Sequence, residues 1–293
     1  MAAETTMSLG APARTVRRYQ FFRRFRGNKL VVAGGTLVGL IVLAAVFAPV
    51  LAPYSPYQQH NVDQLIGPSS TYLLGTDEFG RDVLSRVLFG ARISMEVALI
   101  SVSIGLLCGG ILGLIAAFYG GWWDLTIMRL ADILFAFPAL LLAIAILALL
   151  GPSLANVMIA IGIIFIPIFT RVVRAAGMVL VHEPYVEASR ACGAGDLRIM
   201  LRHVLPNAVA PLMVQTTLAI SYAILAEAAL SFLGLGAQPP EPSWGTMLNT
   251  GRGFMTFAPW TGIVPGAAIF LAVLGFNVLG DGLRDVLDPR MKV

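Results

Sequence analysis

Four stretches of this chain, residues 97–123, 133–170, 203–226 and 253–280, contain no Asp, Glu, Lys or Arg. An α-helix rises ~1.5 Å per residue, so about 20 apolar residues cross the ~30 Å hydrocarbon core of a bilayer. Each stretch is long enough for one crossing, and the Gly-Pro-Ser at 151–153 divides the second into two. A further apolar run, residues 30–52, exceeds the ~7 to 15 residue core of a signal peptide and is read as a retained span. Only 12% of the 293 residues are charged and 57% are hydrophobic, against roughly 25% charged in a soluble domain. A water-soluble fold cannot bury that much apolar surface. The expected fold is an all-α integral membrane protein with about six spans, near 30–52, 94–118, 126–150, 154–172, 208–233 and 261–281.

The basic residues orient this bundle. Seven of them precede the first span, five lie between 171 and 202, and three follow the last span. With Arg129, a cytoplasmic N-terminus places 16 of the 20 inside and leaves Arg81, Arg86, Arg92 and Arg252 outside. The reverse orientation would invert the positive-inside bias. The expected division is a basic cytoplasmic tail at 1–29, a first helix at 30–52, an external loop with an interfacial helix at 53–93, and a five-helix core at 94–293. Both termini are expected in the cytoplasm, at the plasma (inner) membrane. The net charge of +4 follows from this topology, and no nucleic-acid partner is expected.

Several chemistries find no support. Cys108 and Cys192 form no metal or redox spacing, and His60, His182 and His203 all lie outside the long apolar runs. A membrane-embedded enzyme would need a positioned base or a metal cluster among the spans. No GxxxxGK[ST] phosphate loop is present, so the chain is not expected to bind ATP itself. No catalytic or metal residue is assigned. Glycines within the spans, such as Gly105, Gly109, Gly110 and Gly113, suit close helix packing in lipid.

Away from the span ends two acids fall inside spans, where an ionisable group is a functional candidate by default. Asp132 stands one turn from Arg129 and can pair with it. Glu227 has no partner visible in sequence. It either lines the translocation path or accepts a hydrogen bond from another helix.

The loop before the fifth span is the most informative segment, with eight Asp, Glu or Arg in the 33 residues from 171 to 203, about twice the charge density of the whole chain. Pro184 suits a first helical position, and Gly193 permits the left-handed turn that ends a helix. Asp196 can cap a second short helix, 197–203, which Pro206 prevents from running on unbroken. Two short helices about a glycine form a compact knob, a docking element for a cytoplasmic protein or else an ordinary amphipathic loop. On the outer side, Val83, Leu84, Val87, Leu88 and Ala91 recur at helical spacing, with Asp82 and Arg86 as an i, i+4 pair. Trp244 and Trp260 suit the headgroup region.

Glu187-Ala188-Ser189, Gly193 and Leu205-Pro206 resemble the EAA loop of ATP-binding-cassette (ABC) importer permeases. The runs 187–191, 202–207, Gly75 through Asp82 (GTDEFGRD) and Leu230 through Gly236 (LSFLGLG) resemble the C-type permease of dipeptide and oligopeptide importers, within the peptide/nickel family. Ser189 stands where the general motif has a second Ala. The resemblance implies a type I permease fold with a cytoplasmic coupling helix in the loop at about 184–207. It implies that Glu187, Ala188, Ser189, Gly193, Asp196, Leu205 and Pro206 couple the chain to an ATPase subunit. Glu227 and Asp132 remain candidates for the translocation path. The implied partners are a second homologous permease, two cytoplasmic ATPases that use ATP and Mg, an extracytoplasmic substrate-binding protein, and membrane lipid. No cofactor is expected on this chain. The implied cargo is di- or oligopeptides. Nickel chelates, glutathione or another small solute are alternatives, and an ion-coupled secondary transporter is the competing class.

Overall fold

A computed structural model describes residues 27–287. The basic tail at 1–26 and the last residues, 288–293, lie outside the described residues. Among the described residues the secondary structure is helical, apart from one isolated bridge between Thr76 and Asp82. Helix α1 is Lys29–Val46, opened by Asn28, whose Oδ1 accepts from the Leu30 N–H at 2.8 Å, and a short α2, Ala48–Leu51, follows. An irregular segment, residues 52–82, leads into α3, Val83–Tyr119. Then come α4, Gly121–Phe135, and α5, Ala139–Leu150. Helix α6, Leu154–Leu180, is followed by two short helices, α7, Pro184–Ala191, and α8, Asp196–Ile199. A π-helical turn, Met200–Val204, joins α8 to α9, Leu205–Phe232. The short α10, Trp244–Gly251, and the long α11, Trp260–Leu287, complete the described chain.

Five helical segments are long and apolar enough to cross a membrane, or six if the bent pair α4 and α5 makes one span. That pair departs from the single straight span expected at 126–150. The two arms meet at 88° across residues 136–138. Pro138 has no N–H and disfavours helical backbone at Phe137, so the helix stops and restarts there. Arms of 15 and 12 residues measure ~23 and ~18 Å, too short to cross the hydrocarbon core singly.

The expected interfacial helix is continuous with the second span. At 37 residues, α3 is ~55 Å long, so its first turns stand clear of a ~30 Å core. Those turns are packed by the irregular segment before them, and Val83, Ser85, Arg86 and Ala91 are all buried. The expected Asp82–Arg86 pair is absent. Asp82 instead caps α3, its Oδ2 accepting from the Ser85 N–H at 2.8 Å, while Arg86 Nε reaches Asp77 at 3.3 Å. Asp77 also takes Arg81 Nε at 2.6 Å, which closes the GTDEFGRD run into a buried ionic knot. Burial, with Asp77 next to it, raises the Glu78 carboxyl above the usual carboxylate range. Trp244 faces the interior of the protein and does not meet lipid headgroups. It is 2% exposed, and its indole donates to the Val87 carbonyl at 3.0 Å.

The centre of the bundle is the contact of α3 with α6. On α6, Val157, Ile161, Phe165, Phe169 and Val173 recur every fourth residue and are fully or almost fully buried. On α3, Gly105, Gly109 and Gly113 recur at the same spacing. A Cβ on Gly105 would strike Phe165, one on Gly109 would strike the Ile166 carbonyl and Phe169, and one on Gly113 would lie 2.5 Å from the Thr170 carbonyl. A ridge of large side chains thus seats in a groove made by glycines. Without a hydrophobic drive between helices in lipid, this close fit supplies much of the cohesion. Large apolar residues on the outer surface, such as Leu107, Ile111 and Leu149, are exposed, as a lipid-facing surface requires.

Candidate functional site

Helix α7 begins with Pro184, which needs no N–H partner at a helix start. It ends in a two-bond αL turn. The Gly193 N–H donates to the Arg190 carbonyl at 2.9 Å, and the Ala194 N–H donates to the Ser189 carbonyl at 3.1 Å. Gly193 has φ +79, the left-handed conformation that glycine adopts without strain. These two bonds satisfy carbonyls that the end of α7 would otherwise leave open.

The knob is anchored from beneath. Val186, Ile199 and Val204 are wholly buried, and the Arg190 guanidinium lies 5.0 Å over the ring of Phe118 at the end of α3. Its outer surface is open, with Glu187, Ala188, Gly193, Asp196 and Pro206 exposed and Ser189 and Leu205 half-buried. Leu197, 66% exposed, and Leu201 add an apolar component to a charged surface. Ser189 Oγ stands 3.3 Å from His203 Nε2, linking the first short helix to the π-helical turn. That contact, and the Asn207 amide donating to the Tyr185 hydroxyl at 3.3 Å, had no signal in sequence spacing.

Two expectations for this loop change. The N-cap of α8 is Gly195, with Asp196 at the first helical position and no side-chain cap bond. The second short helix also does not stop before Pro206. From Asp196 to Phe232 the chain runs as one helical rod of 37 residues. Proline removes one N–H and its ring crowds the carbonyl four residues back, here that of Arg202. The π-helical turn at Met200–Val204 widens the helix at that place. The knob is therefore joined directly to a rod that reaches the opposite end of the bundle.

Near that opposite end, on the same rod, Glu227 is completely buried. Its Oε2 accepts from Ser94 Oγ on α3 at 2.8 Å, and its Oε1 accepts from Ser231 Oγ at 2.7 Å. Of the two roles the sequence left open, the interhelical hydrogen bond is formed here. Replacing Glu227 by Leu is expected to strand both serine hydroxyls, at about 1 to 3 kcal/mol per unsatisfied group, and to lower the yield of assembled subunit. Glu227→Gln refills the volume and keeps one acceptor, so assembly and uptake should stay near wild type. Subunit stoichiometry and uptake on the same preparation measure both. Loss of uptake in the glutamine variant with assembly intact would instead place this carboxylate on the path.

Asp132 does not pair with Arg129. Its Oδ1 accepts from Arg171 on α6 at 2.7 Å, and the two side chains are 51% and 49% exposed. One turn on, Arg174 grips Asp124 with two donors, Nε and Nη2, the bidentate form that fixes orientation as well as charge. Both pairs tie α4 to α6. Among the described residues no cluster of His, Cys, Asp or Glu could hold a metal ion.

A long, largely apolar helical bundle with an exposed helical knob beneath it is the architecture of a transport permease. Residues 109–293 match the binding-protein-dependent transport system inner membrane component family, and residues 18–68 match the N-terminal TM domain of oligopeptide transport permease C. The chain belongs to this inner membrane component family and is a permease subunit of an ABC importer. It is 49% identical, over 92% of its length and 89% of the relative's, to the dipeptide transport system permease protein DppC of Alkalihalophilus pseudofirmus. It is 48% identical, over 93% of its length and 91% of the relative's, to the glutathione transport system permease protein GsiD of Pectobacterium atrosepticum. An inward-facing structure of the MetNI methionine ABC transporter shares the fold, with a TM-score of 0.55, 18% identity, and coverage of 69% of this chain and 96% of that one. An amino acid ABC transporter shares it at a TM-score of 0.53 and 17% identity, covering 68% of this chain and 92% of that one.

Proposed function

We propose that this chain is one of two related permeases in an ATP-driven importer of short peptides, with two ATPases beneath the knob and a substrate-binding protein outside. The observation that carries this reading is the exposed knob of α7 and α8, whose second helix continues without a break into α9. A partner that moves the knob moves a rod reaching the far end of the bundle, so a nucleotide-dependent closure below can switch access above. Glu187, Ala188, Ser189, Gly193, Asp196, Leu205 and Pro206 form or support the docking surface. ATP and Mg act on the ATPases. Asp132, half exposed on the bundle, is the stronger path candidate. Glu227, enclosed by serines, reaches a path only in a conformation that parts α3 from α9.

Peptide cargo is supported by relatives named for dipeptide and glutathione transport, both short amide-linked acids. Reconstituted with its partners, the complex should accumulate labelled trialanine only when ATP is present. Competition by unlabelled dipeptide or by glutathione then ranks the two cargoes. Uptake that persists without ATP and follows an ion gradient would favour a secondary transporter.

The knob end is the cytoplasmic end in this reading. In a Cys108→Ser background, Cys192, exposed on the knob, is expected to react with an impermeant maleimide only after the membrane is opened. A cysteine replacing Val62, 95% exposed in the irregular segment before α3, and with Cys192 also replaced, should react on intact cells. Reversed labelling would overturn the orientation.

A further inference from the structure

At the bend between α4 and α5 the bundle opens a cavity of about 330 Å³. Its wall is apolar, made mostly of aliphatic side chains together with four aromatic ones, Phe135 and Phe137 at the bend, Phe165 from α6 and Tyr222 from α9. Gln215, also from α9, adds a carboxamide. Among the described residues neither the Gln215 carboxamide nor the Tyr222 hydroxyl has a hydrogen-bond partner within the protein, so both are free to bond a solute. No charged side chain lines the wall.

Charge stands at its edge instead. Phe135 is shared, since one part of it lines the cavity while its ring carries the Arg171 guanidinium at 4.1 Å. Arg171 in turn donates to Asp132, one turn before Phe135. Both charged groups are about half exposed, and a pair that exposed is held weakly, so either member can exchange its partner for a solute charge. The cavity therefore offers aromatic faces, one amide, one hydroxyl, and a separable cation and anion at one end.

We propose that this cavity is a passage site for a zwitterionic peptide. Arg171 receives the carboxylates of the peptide and Asp132 its ammonium groups, whether terminal or on a side chain, and Gln215 and Tyr222 meet its amide groups. The complement is chemical: a short peptide carries both charges and several amides, and its apolar side chains suit the apolar wall. With no charge inside, the site accepts varied side chains and holds none tightly, which a passage requires. This inference rests on the peptide-importer reading and names the part of the chain that cargo touches.

The test uses the whole reconstituted complex with its wild-type binding protein and two tripeptides, Ala-Lys-Ala and Ala-Glu-Ala. Uptake of each by a variant is divided by uptake in wild type, so the binding protein's own preference cancels. Asp132→Asn leaves Arg171 without its counter-charge and should shift the ratio toward Ala-Glu-Ala, by about fivefold for a half-exposed charge. Arg171→Gln should shift it toward Ala-Lys-Ala by a similar factor. A merely structural ion pair, or one covered by the second permease, would lower both peptides together in both variants. An unmoved ratio, with both peptides still taken up, overturns the site and leaves the peptide reading standing. If wild type takes up neither tripeptide, the peptide reading fails and this site fails with it. Should a charge variant not assemble, Gln215→Leu with Tyr222→Phe is the second arm. It is expected to lower uptake of both peptides several-fold in a complex that retains all its subunits, and unaltered uptake there overturns the proposal.

Discussion

Gly193→Val is expected to abolish most ATP-driven uptake and most substrate-stimulated ATP hydrolysis while leaving the complex fully assembled. The position has φ +79, and a side chain added there would meet nothing within 4 Å. Within this chain the effect therefore acts through the backbone. A left-handed residue with a Cβ costs roughly 1 to 2 kcal/mol, and β-branching adds to it. The alternative is to abandon the turn, which breaks the Gly193 and Ala194 hydrogen bonds that end α7 and lets α7 swing relative to α9. Either outcome displaces the surface formed by Glu187, Ala188 and Ser189. The series separates backbone from bulk. Gly193→Asn, which tolerates αL conformation, should be close to wild type, and Gly193→Ala should fall between. Gly195 has φ −70, so Gly195→Ala should be nearly silent. Paired uptake and ATPase assays in proteoliposomes read the series. Equal activity across Gly, Asn, Ala and Val would remove the turn from the coupling mechanism.

Gly109→Leu is expected to remove the folded subunit altogether. Here the obstruction is space. The added side chain points at the Ile166 carbonyl and at Phe169 on α6, and neither can yield without parting the two helices. Overpacking a tight core costs about 1 to 3 kcal/mol, and more where backbone opposes it. The knob hangs from the same pair of helices, through Leu180 at the end of α6 and through Phe118 under Arg190, so its support would go as well. The neighbouring Gly110 meets nothing within 4 Å and serves as the control. Size-exclusion chromatography of the detergent-solubilised chain should show at least about a tenfold loss of monodisperse protein for Gly109→Leu, a destabilisation near 1.4 kcal/mol or greater. Gly110→Leu should behave as wild type in the same assay. Equal yields would mean that α3 and α6 can separate at little cost.

Much of the fold was legible because the bilayer imposes a length and a polarity on anything that crosses it. Residues 97–118, 154–172, 208–232 and 261–281 are helical as the charge-free runs predicted, and the turn at Gly193 lies where its glycine indicated. The relation of Pro184, Glu187 and Gly193 is also local, fixed within one short helix and its end, so sequence spacing could reveal it.

What failed to read was everything decided between elements. Arg129 is near Asp132 in sequence, yet Arg171, 39 residues away in sequence, holds it. Asp82 and Arg86 share a helical spacing, yet the cap and the approach of Asp77 claim them separately. Trp244 carries no local sign that it would be buried beside Val87. The third span looked straight because hydropathy ignores direction, and only the packing of α4 and α5 against α6 shows that Pro138 turns the chain through 88°. Composition and period thus determined that this chain enters a membrane, where its helices lie, and where the loop before α9 turns. Tertiary structure alone decided which charges pair and where a cavity opens, because a side chain's partner is set by the nearest surface in space, and sequence distance does not measure that.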